Sequence, residues 1–356
     1  MSEGMAQVTA SKEPCTNDNE ALENVQHPFH QQSIDSYMNP WHVNAVVEGF
    51  CIFAHFSEAG IGILANTSLL VFHIFTIHQI RRPRPTDMIT CQLAFVHIVM
   101  LLTTLDILSA DTFKSLGFPN ELKCKVLLYM NRVSRSLSIS TTCLLSIVQV
   151  ITICPSSCFL SGFKHKLTKH VTIALFCFWS LNLCSNTNRI IYTVAHSNTT
   201  NLFIVSKYCS LTSMNFTIMM LLDTLSLFQN VFFVGMMLLS SMYIVIFLCS
   251  HQRKSEYLRS ISIFPRISPV KWATRTVLVL VSFFVIMYCV DSIISSFSAV
   301  LRKYEPVVLD IQRVVGNIYA TVSPFILISS DKRIADILRK VIDMCQTFQE
   351  LIKSEP

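Results

Sequence analysis

Charge is scarce in this sequence: Asp, Glu, Lys and Arg together make up 14% of its 356 residues, where soluble domains carry about 25%. Too few polar side chains are available to cover a soluble globule of this length. Glycine is scarce too, with 8 residues in the whole chain. No glycine-rich phosphate loop can be found, and HExxH and the nucleophile elbow G-x-S-x-G are also missing. An enzyme is therefore not expected, and no cofactor is implied. The 13 cysteines include no C-x-x-C pair, so no metal framework is expected either. The opening "MSEGMAQVTASKEPCTNDNEALENVQHPFHQQ" lacks the basic region and apolar stretch of a secretory signal peptide. The first long apolar segment is expected to act as its own signal anchor.

What the chain does have is apolar length. Hydrophobic residues make up 51% and the mean hydropathy is +0.49. A bilayer core of about 30 Å takes about 20 apolar residues of helix. Seven segments qualify, at roughly 49–77, 88–109, 124–153, 171–194, 223–249, 274–298 and 308–329. Asp223, Gln229 and Asn230 interrupt the start of the fifth. The runs lack the two-residue alternation of barrel strands, so they are expected to be helices. The fold expected is an all-α membrane protein, a seven-transmembrane helix bundle of the G-protein-coupled receptor type. Residues 1–48 form a polar segment expected to be disordered, 49–330 the membrane domain, and 331–356 a tail.

Loop charge sets an orientation. Arg81, Arg82 and Arg84 lie in 78–87, and Lys164, Lys166 and Lys169 in 154–170. Arg253, Lys254, Arg259, Arg266 and Lys271 lie in 250–273, and Lys332, Arg333, Arg339, Lys340 and Lys353 follow Asp331. The alternate loops are poorer in basic residues, and the first 48 residues hold only Lys12 against seven acidic residues. The positive-inside bias puts the N-terminus outside and the C-terminus in the cytoplasm of a multi-pass plasma-membrane protein. The net charge of +6 is thus spread over short loops, which is not a nucleic-acid footprint. Acceptor sequons at Asn198 and Asn215 fall in 195–222, on the outer side, while the match at Asn66 lies in mid-membrane where glycosylation cannot reach.

Within the spans, polar residues are few and placed with a pattern. Asn131, Arg135, Ser138 and Thr142 recur at helical spacing on one face of the third span. A polar stripe containing an arginine must face the bundle interior, because lipid exposure is costly. It could line a ligand pocket with Arg135 meeting an acidic ligand, or Arg135 could pair internally with Asp106 or Asp291. Arg132, nearer the outer interface, can snorkel. Glu58 and Asp291 are isolated intramembrane carboxylates, for which a bundle hydrogen bond is expected ahead of proton relay. His97 is expected to be a satisfied buried histidine ahead of a metal ligand. Pro155 ends the third helix, and Pro324 should kink the seventh and free a carbonyl that neighbours must satisfy. Beyond Ser330, Ile334, Ile337, Leu338, Val341, Ile342 and Cys345 fall on one face, opposite Arg333, Asp336, Arg339 and Lys340. A short amphipathic helix on the inner leaflet is expected there, with Cys345 a candidate for palmitoylation.

Several long stretches carry a family resemblance. They are "GIGILANTSLLVFHIF", "NRVSRSLSISTTCLLSIVQVITICPSS", "KYCSL", "SPVKWATRTVLVLVSFFVIMYCVDSIISS" and "NIYATVSPFILISSDKRI". From residue 60 to about 334 the chain resembles the vomeronasal type-1 receptors, a family of pheromone receptors. The resemblance implies a small chemosensory ligand bound between the helices, a heterotrimeric G protein of the Gi/o class, and no cofactor. It also implies a disulfide between Cys124 and Cys209. Rhodopsin-like receptors carry an Asp-Arg-Tyr triplet where this chain has Val148-Gln149-Val150, an aspartate at His97, and Asn-Pro at Ser323-Pro324. All three replacements fit the vomeronasal family, making His97, Gln149 and Pro324 candidate activation elements. Members of that family usually have a short outer N-terminus, so Met38 would be a start closer to the pattern than Met1. A bitter-taste receptor is the nearest alternative, but "STTCLLSIVQ" and "ATVSPFILIS" favour the vomeronasal family. A secondary transporter should show repeated halves with Gly- or Pro-broken helices, and none are visible.

Overall fold

A hydrocarbon core offers no water to the backbone, so each apolar run must satisfy its own N–H and C=O groups as a helix. The computed structural model bears this out over the residues it describes: 40–79, 84–108, 120–155, 159–187, 190–191, 193–195, 202–204, 209–212, 216–259, 269–301, 306–331 and isolated positions of the C-terminal tail. Backbone packing divides the chain into two units, 1–46 and 47–356. Among the described residues, the second is built of α1 (Pro40–Gln79, which begins in the first unit), α2 (Pro85–Leu108), α3 (Asn120–Ile153), α4 (Leu167–Ser185), α5 (Phe216–Arg259), α6 (Pro269–Leu301) and α7 (Pro306–Ser330). Four of these helices open on proline, whose fixed φ suits the first turn and whose missing N–H has no helical partner there anyway. Six are long and apolar enough to cross a membrane, and α6 holds a shorter apolar stretch, Leu278–Ile294.

The fourth helix departs from the expected 171–194. It starts at Leu167 and stops at Ser185. Asn186 Nδ2 and Thr187 Oγ1 donate to the carbonyls of Asn182 and Leu183, so side chains satisfy the last turn and end it. Farther on, Ile190 and Ile191 are helical, and the β-branched Thr193 and Val194 lie in a strand. The loops flanking it are also more ordered than expected. A 3-10 helix spans Phe159–Lys166, and the segment read as an outer loop carries an antiparallel sheet, so the chain is not purely helical. Its strands are β1 (Thr193–Ala195), β2 (Leu202–Ile204) and β3 (Cys209–Thr212), in the order β1-β3-β2. The register pairs Ala195 with Cys209 and Ile204 with Ser210. Strand β1 packs on α3.

Helix α3 is the axis of the bundle, touching α2, α4, α5 and α6. Its sequence explains this. Ser134, Ser136, Ser138, Ser140, Thr141, Thr142 and Ser146 are all buried, and small side chains let helices approach closely. Several hydroxyls turn back on the helix: Ser134, Ser140, Thr142 and Ser146 donate to the carbonyls of Met130, Ser136, Ser138 and Thr142. The apolar core between α3, α5, α6 and α7 is centred on Leu144, Phe233, Met237, Leu280, Phe284 and Tyr319. The outer faces are apolar as well, with Phe176 of α4 72% exposed and Phe228 of α5 69% exposed. Such faces suit contact with lipid. Of the polar residues that interrupt α5, Gln229 bridges helices: its Nε2 donates to Asn182 Oδ1 at 2.9 Å, and Asn182 donates to Ser140 Oγ at 3.3 Å.

Helix α1 closes on α2 and α7 at Gly62. A Cβ there would lie 2.7 Å from Leu101 Cδ1 and 3.2 Å from Thr321 Cα. Gly62→Val is expected to push α1 off its neighbours and destabilise the bundle by about 1–3 kcal/mol. A thermal melt of the purified protein in detergent measures it; an unshifted midpoint would mean that α1 does not need this approach.

Candidate functional site

The stripe on α3 meets three neighbouring helices. Asn131 Nδ2 donates to Thr103 Oγ1 at 3.1 Å and Thr104 Oγ1 at 3.0 Å, so it is engaged by α2. One turn on, Arg135 Nη1 donates to Asp291 Oδ2 of α6 at 3.2 Å, with the side chains 25% and 19% exposed. Of the two carboxylates the spacing left open as partners for Arg135, the fold brings up Asp291; the side chain of Asp106 lies outside the described residues. Gly316 of α7 makes room for the guanidinium: a Cβ there would come within 2.7 Å of Arg135 Cζ. The other carboxylate oxygen, Asp291 Oδ1, is buried and has no hydrogen-bond partner among the described residues. An ion pair with one acceptor to spare therefore sits where α3, α6 and α7 converge. A donor on a ligand would complete it.

Deeper along the same stripe, Ser138 and Thr142 join a hub. His97 of α2 is fully buried, its Nε2 2.8 Å from Ser138 Oγ and its Nδ1 3.1 Å from Ser323 Oγ. A neutral imidazole has one donor and one acceptor, so one serine accepts and the other donates. With both nitrogens engaged, no lone pair is left for a metal. The His97 ring meets Tyr319 edge-on at 5.4 Å, and the Tyr319 hydroxyl shares a 3.0 Å hydrogen bond with Thr142. The hub thus ties α2, α3 and α7 together immediately before Pro324.

Proline at 324 has no N–H to give the Ala320 carbonyl four residues earlier. Asn66 of α1 supplies the donor, its Nδ2 lying 2.8 Å from both the Ala320 and Gly62 carbonyls. The sequon at Asn66 is therefore a buried helix contact. Glu58 behaves differently from expectation: among the described residues its carboxylate oxygens are buried without a hydrogen-bond partner, while its backbone carbonyl accepts from Thr321 Oγ1 at 3.3 Å. Gln149 is half-buried on α3, and among the described residues its side chain forms no hydrogen bond or ion pair.

At the end of the bundle away from the sheet lies a charged cluster that helical spacing did not reveal. Asp87 of α2, 3% exposed, receives both Nη atoms of Arg333, at 2.7 and 3.3 Å. Asp331 takes Arg333 Nη2 at 2.6 Å, and His73 Nδ1 lies 3.4 Å from Asp87. Arg333 also rests 5.9 Å from the Phe72 ring centroid. Burial raises the Asp331 carboxyl, but the Arg333 hydrogen bonds and charge outweigh it and hold the group below its ordinary value. The hydrogen bond to Asp331, with that to Asp87, pushes Arg333 upward against burial. His73, Asp87 and Asp331 have the spacing of a metal site, but the guanidinium already occupies that space. The only sequence signal was "SSDKRI" after the last span; its partner lies 246 residues away.

Cys124, near the start of α3, is buried and disulfide-bonded. Cys209 opens β3, next to the strand that packs on α3. Asn198, Asn215 and Cys345 lie outside the described residues, as does most of the tail expected to form an amphipathic helix.

The model of the vomeronasal organ pheromone receptor family matches residues 51–340. The chain is 40% identical to vomeronasal type-1 receptor 90 of Rattus norvegicus over 299 residues, covering 83% of this chain and 95% of that one. It is 40% identical to vomeronasal type-1 receptor 94 of the same species over 288 residues, covering 80% and 88%. Vomeronasal type-1 receptor 51 of Mus musculus is 38% identical over 288 residues, covering 80% and 90%.

Proposed function

The chain belongs to the vomeronasal type-1 receptor family of chemosensory G-protein-coupled receptors, and on that premise we propose that it binds a small ligand between α3, α6 and α7 and signals through a Gi/o-type G protein. The observation that carries the ligand site is the Arg135–Asp291 pair, with Asp291 Oδ1 lacking a hydrogen-bond partner and the guanidinium lying over Gly316. A ligand with an acidic group competes for Arg135, and one with a hydroxyl or amine donates to Asp291. Binding shifts the receptor between two bundle arrangements in proportion to its preference for the active one. A second-messenger assay in cells co-expressing a Gi/o partner, screened with urinary and glandular compounds, tests this reading. Silence to all of them, with responses to bitter compounds instead, would overturn it.

The proposed orientation places the N-terminus outside and the C-terminus in the cytoplasm, on the strength of loop charge. Cys154 is disulfide-bonded at the end this assigns to the cytoplasm, where thiols are normally kept reduced, so the orientation needs its own test. Outside, a Cys124–Cys209 bridge would pin the sheet over the bundle mouth. Replacing both Asn198 and Asn215 with Gln is expected to abolish glycosidase-sensitive mobility on a gel. A single unglycosylated band in the unmodified protein would contradict the topology. On the inner side, the tail is proposed to lie on the leaflet, with Cys345 a candidate for acylation.

Activation is proposed to run through the His97 hub and Pro324. With Gln149 in place of a charged residue, neutral hydrogen bonds and packing set the balance between states. Gln149→Arg is expected to change ligand-independent signalling measurably at matched surface expression; unaltered basal signalling would remove Gln149 from the mechanism.

A further inference from the structure

At the end of the bundle where α4 begins, a cleft of about 600 Å³ opens to the surface. That volume falls within the range of small-molecule sites. Its depth in the membrane can be read from its walls. Pro85 is the first residue of the α2 span, Leu167 the first of the α4 span, and Thr152 the last but one of the α3 span. The cleft therefore lies where three helices leave the hydrocarbon, at the level of the lipid headgroups.

The walls are basic. Lys164, Lys166 and Lys169 line the cleft, Thr168 adds a hydroxyl, and no carboxylate is among the lining residues. Lys164 Nζ donates to the Cys154 carbonyl, which fixes its ammonium at the C-terminal end of α3. Lys166 and Lys169 are exposed and form no ion pair among the described residues. Leu167, Thr168 and Lys169 of the first turn of α4 line the same space, and the 3-10 helix Phe159–Lys166 runs straight into that turn. Beside the cleft, Phe163 is 42% exposed and lies edge-on to His170 at 5.6 Å.

We propose that this cleft binds the phosphorylated headgroup of an anionic membrane lipid of the polyphosphoinositide class. Three ammonium groups call for more than one phosphate charge, and the headgroup depth calls for a ligand presented by the bilayer. Polyphosphoinositides populate the cytoplasmic leaflet and bind basic pockets between helices, so the proposal rests on the orientation proposed above. It requires no particular chemosensory ligand or G protein.

The test uses the full chain in detergent or in nanodiscs with the lipid in both leaflets, which makes it independent of orientation in the cell and of receptor signalling. Phosphatidylinositol bisphosphate is expected to bind saturably at one site by native mass spectrometry and to raise the melting midpoint. Replacing Lys166 and Lys169 together with Gln is expected to weaken binding about tenfold or more and to abolish the thermal shift. Lys164 is kept, because it caps α3. If the double variant melts early without lipid, Lys169→Gln alone serves, with a proportionately smaller loss. Equal binding by the variants would overturn the proposal. So would phosphatidylserine binding as tightly as the bisphosphate, which would reduce the cleft to unspecific charge. Soluble inositol phosphate binding as tightly as the lipid would overturn it too, making this a site for free phosphates.

Discussion

Asp291→Ala is expected to strip Arg135 of its counter-charge inside the bundle and to cost about 2–3 kcal/mol. That is somewhat below the 3–5 kcal/mol typical of fully buried pairs, because both side chains keep some exposure (25% and 19%). Arg135→Ala is expected to cost a similar amount by leaving a carboxylate with no cation. The double replacement Arg135→Leu with Asp291→Leu should recover most of the stability, since a paired charge exchanged for apolar groups is often neutral. Thermal melts and surface expression by flow cytometry measure this cycle. The same three variants also separate ligand binding from scaffolding. A folded double variant that has lost its ligand response places the ligand on this pair. Full recovery of both folding and response would make the pair a strut and move the pocket elsewhere.

Arg333→Ala is expected to be the other large effect. Asp87 is 3% exposed and would lose its two-pronged partner, at a cost of about 3 kcal/mol given that Arg333 itself keeps 26% exposure. Arg333→Lys should recover only part of this, because an ammonium cannot bond both carboxylate oxygens in one plane. The functional readout is basal signalling. This cluster, through Asp331 and Arg333, ties the end of α7 to α2, so its loss is expected to free that end and raise ligand-independent activity. Unchanged basal signalling at equal surface expression would confine the cluster to stability. The pH dependence has a definite sign. With its folded-state value lowered from the ordinary 3.8, Asp331 contributes fully above that value. Its contribution is lost as pH falls through the lowered value. Between pH 5 and 7 the melting midpoint should therefore show no step from this carboxylate.

The spans were legible because each depends on local facts: apolar length, proline at a helix start, and the cost of an unsatisfied backbone in lipid. Asn131, Arg135, Ser138 and Thr142 were legible as one interior stripe for the same reason, since helical spacing is a local rule. Their division among partners was not. Asn131 and Thr142 are polar residues on one face, yet one is engaged by α2 and the other by Tyr319 of α7. Spacing within a helix says nothing about which neighbour stands opposite. The end of α4 was misread because apolar content continues past Ser185 while the hydrogen-bonding of Asn186 and Thr187 ends the helix.

By itself, the sequence determined that this chain crosses a membrane as helices, which end carries the basic loops, and which residues must turn inward. It also determined that Pro324 would leave a carbonyl in need of a donor. Only the tertiary structure decided that the donor is Asn66, that Arg135 answers Asp291, and that Arg333 reaches Asp87 across 246 residues of chain. The physical reason is the same each time. The low dielectric of the bundle sets the need for a partner locally, but the partner is chosen by how the helices pack around α3.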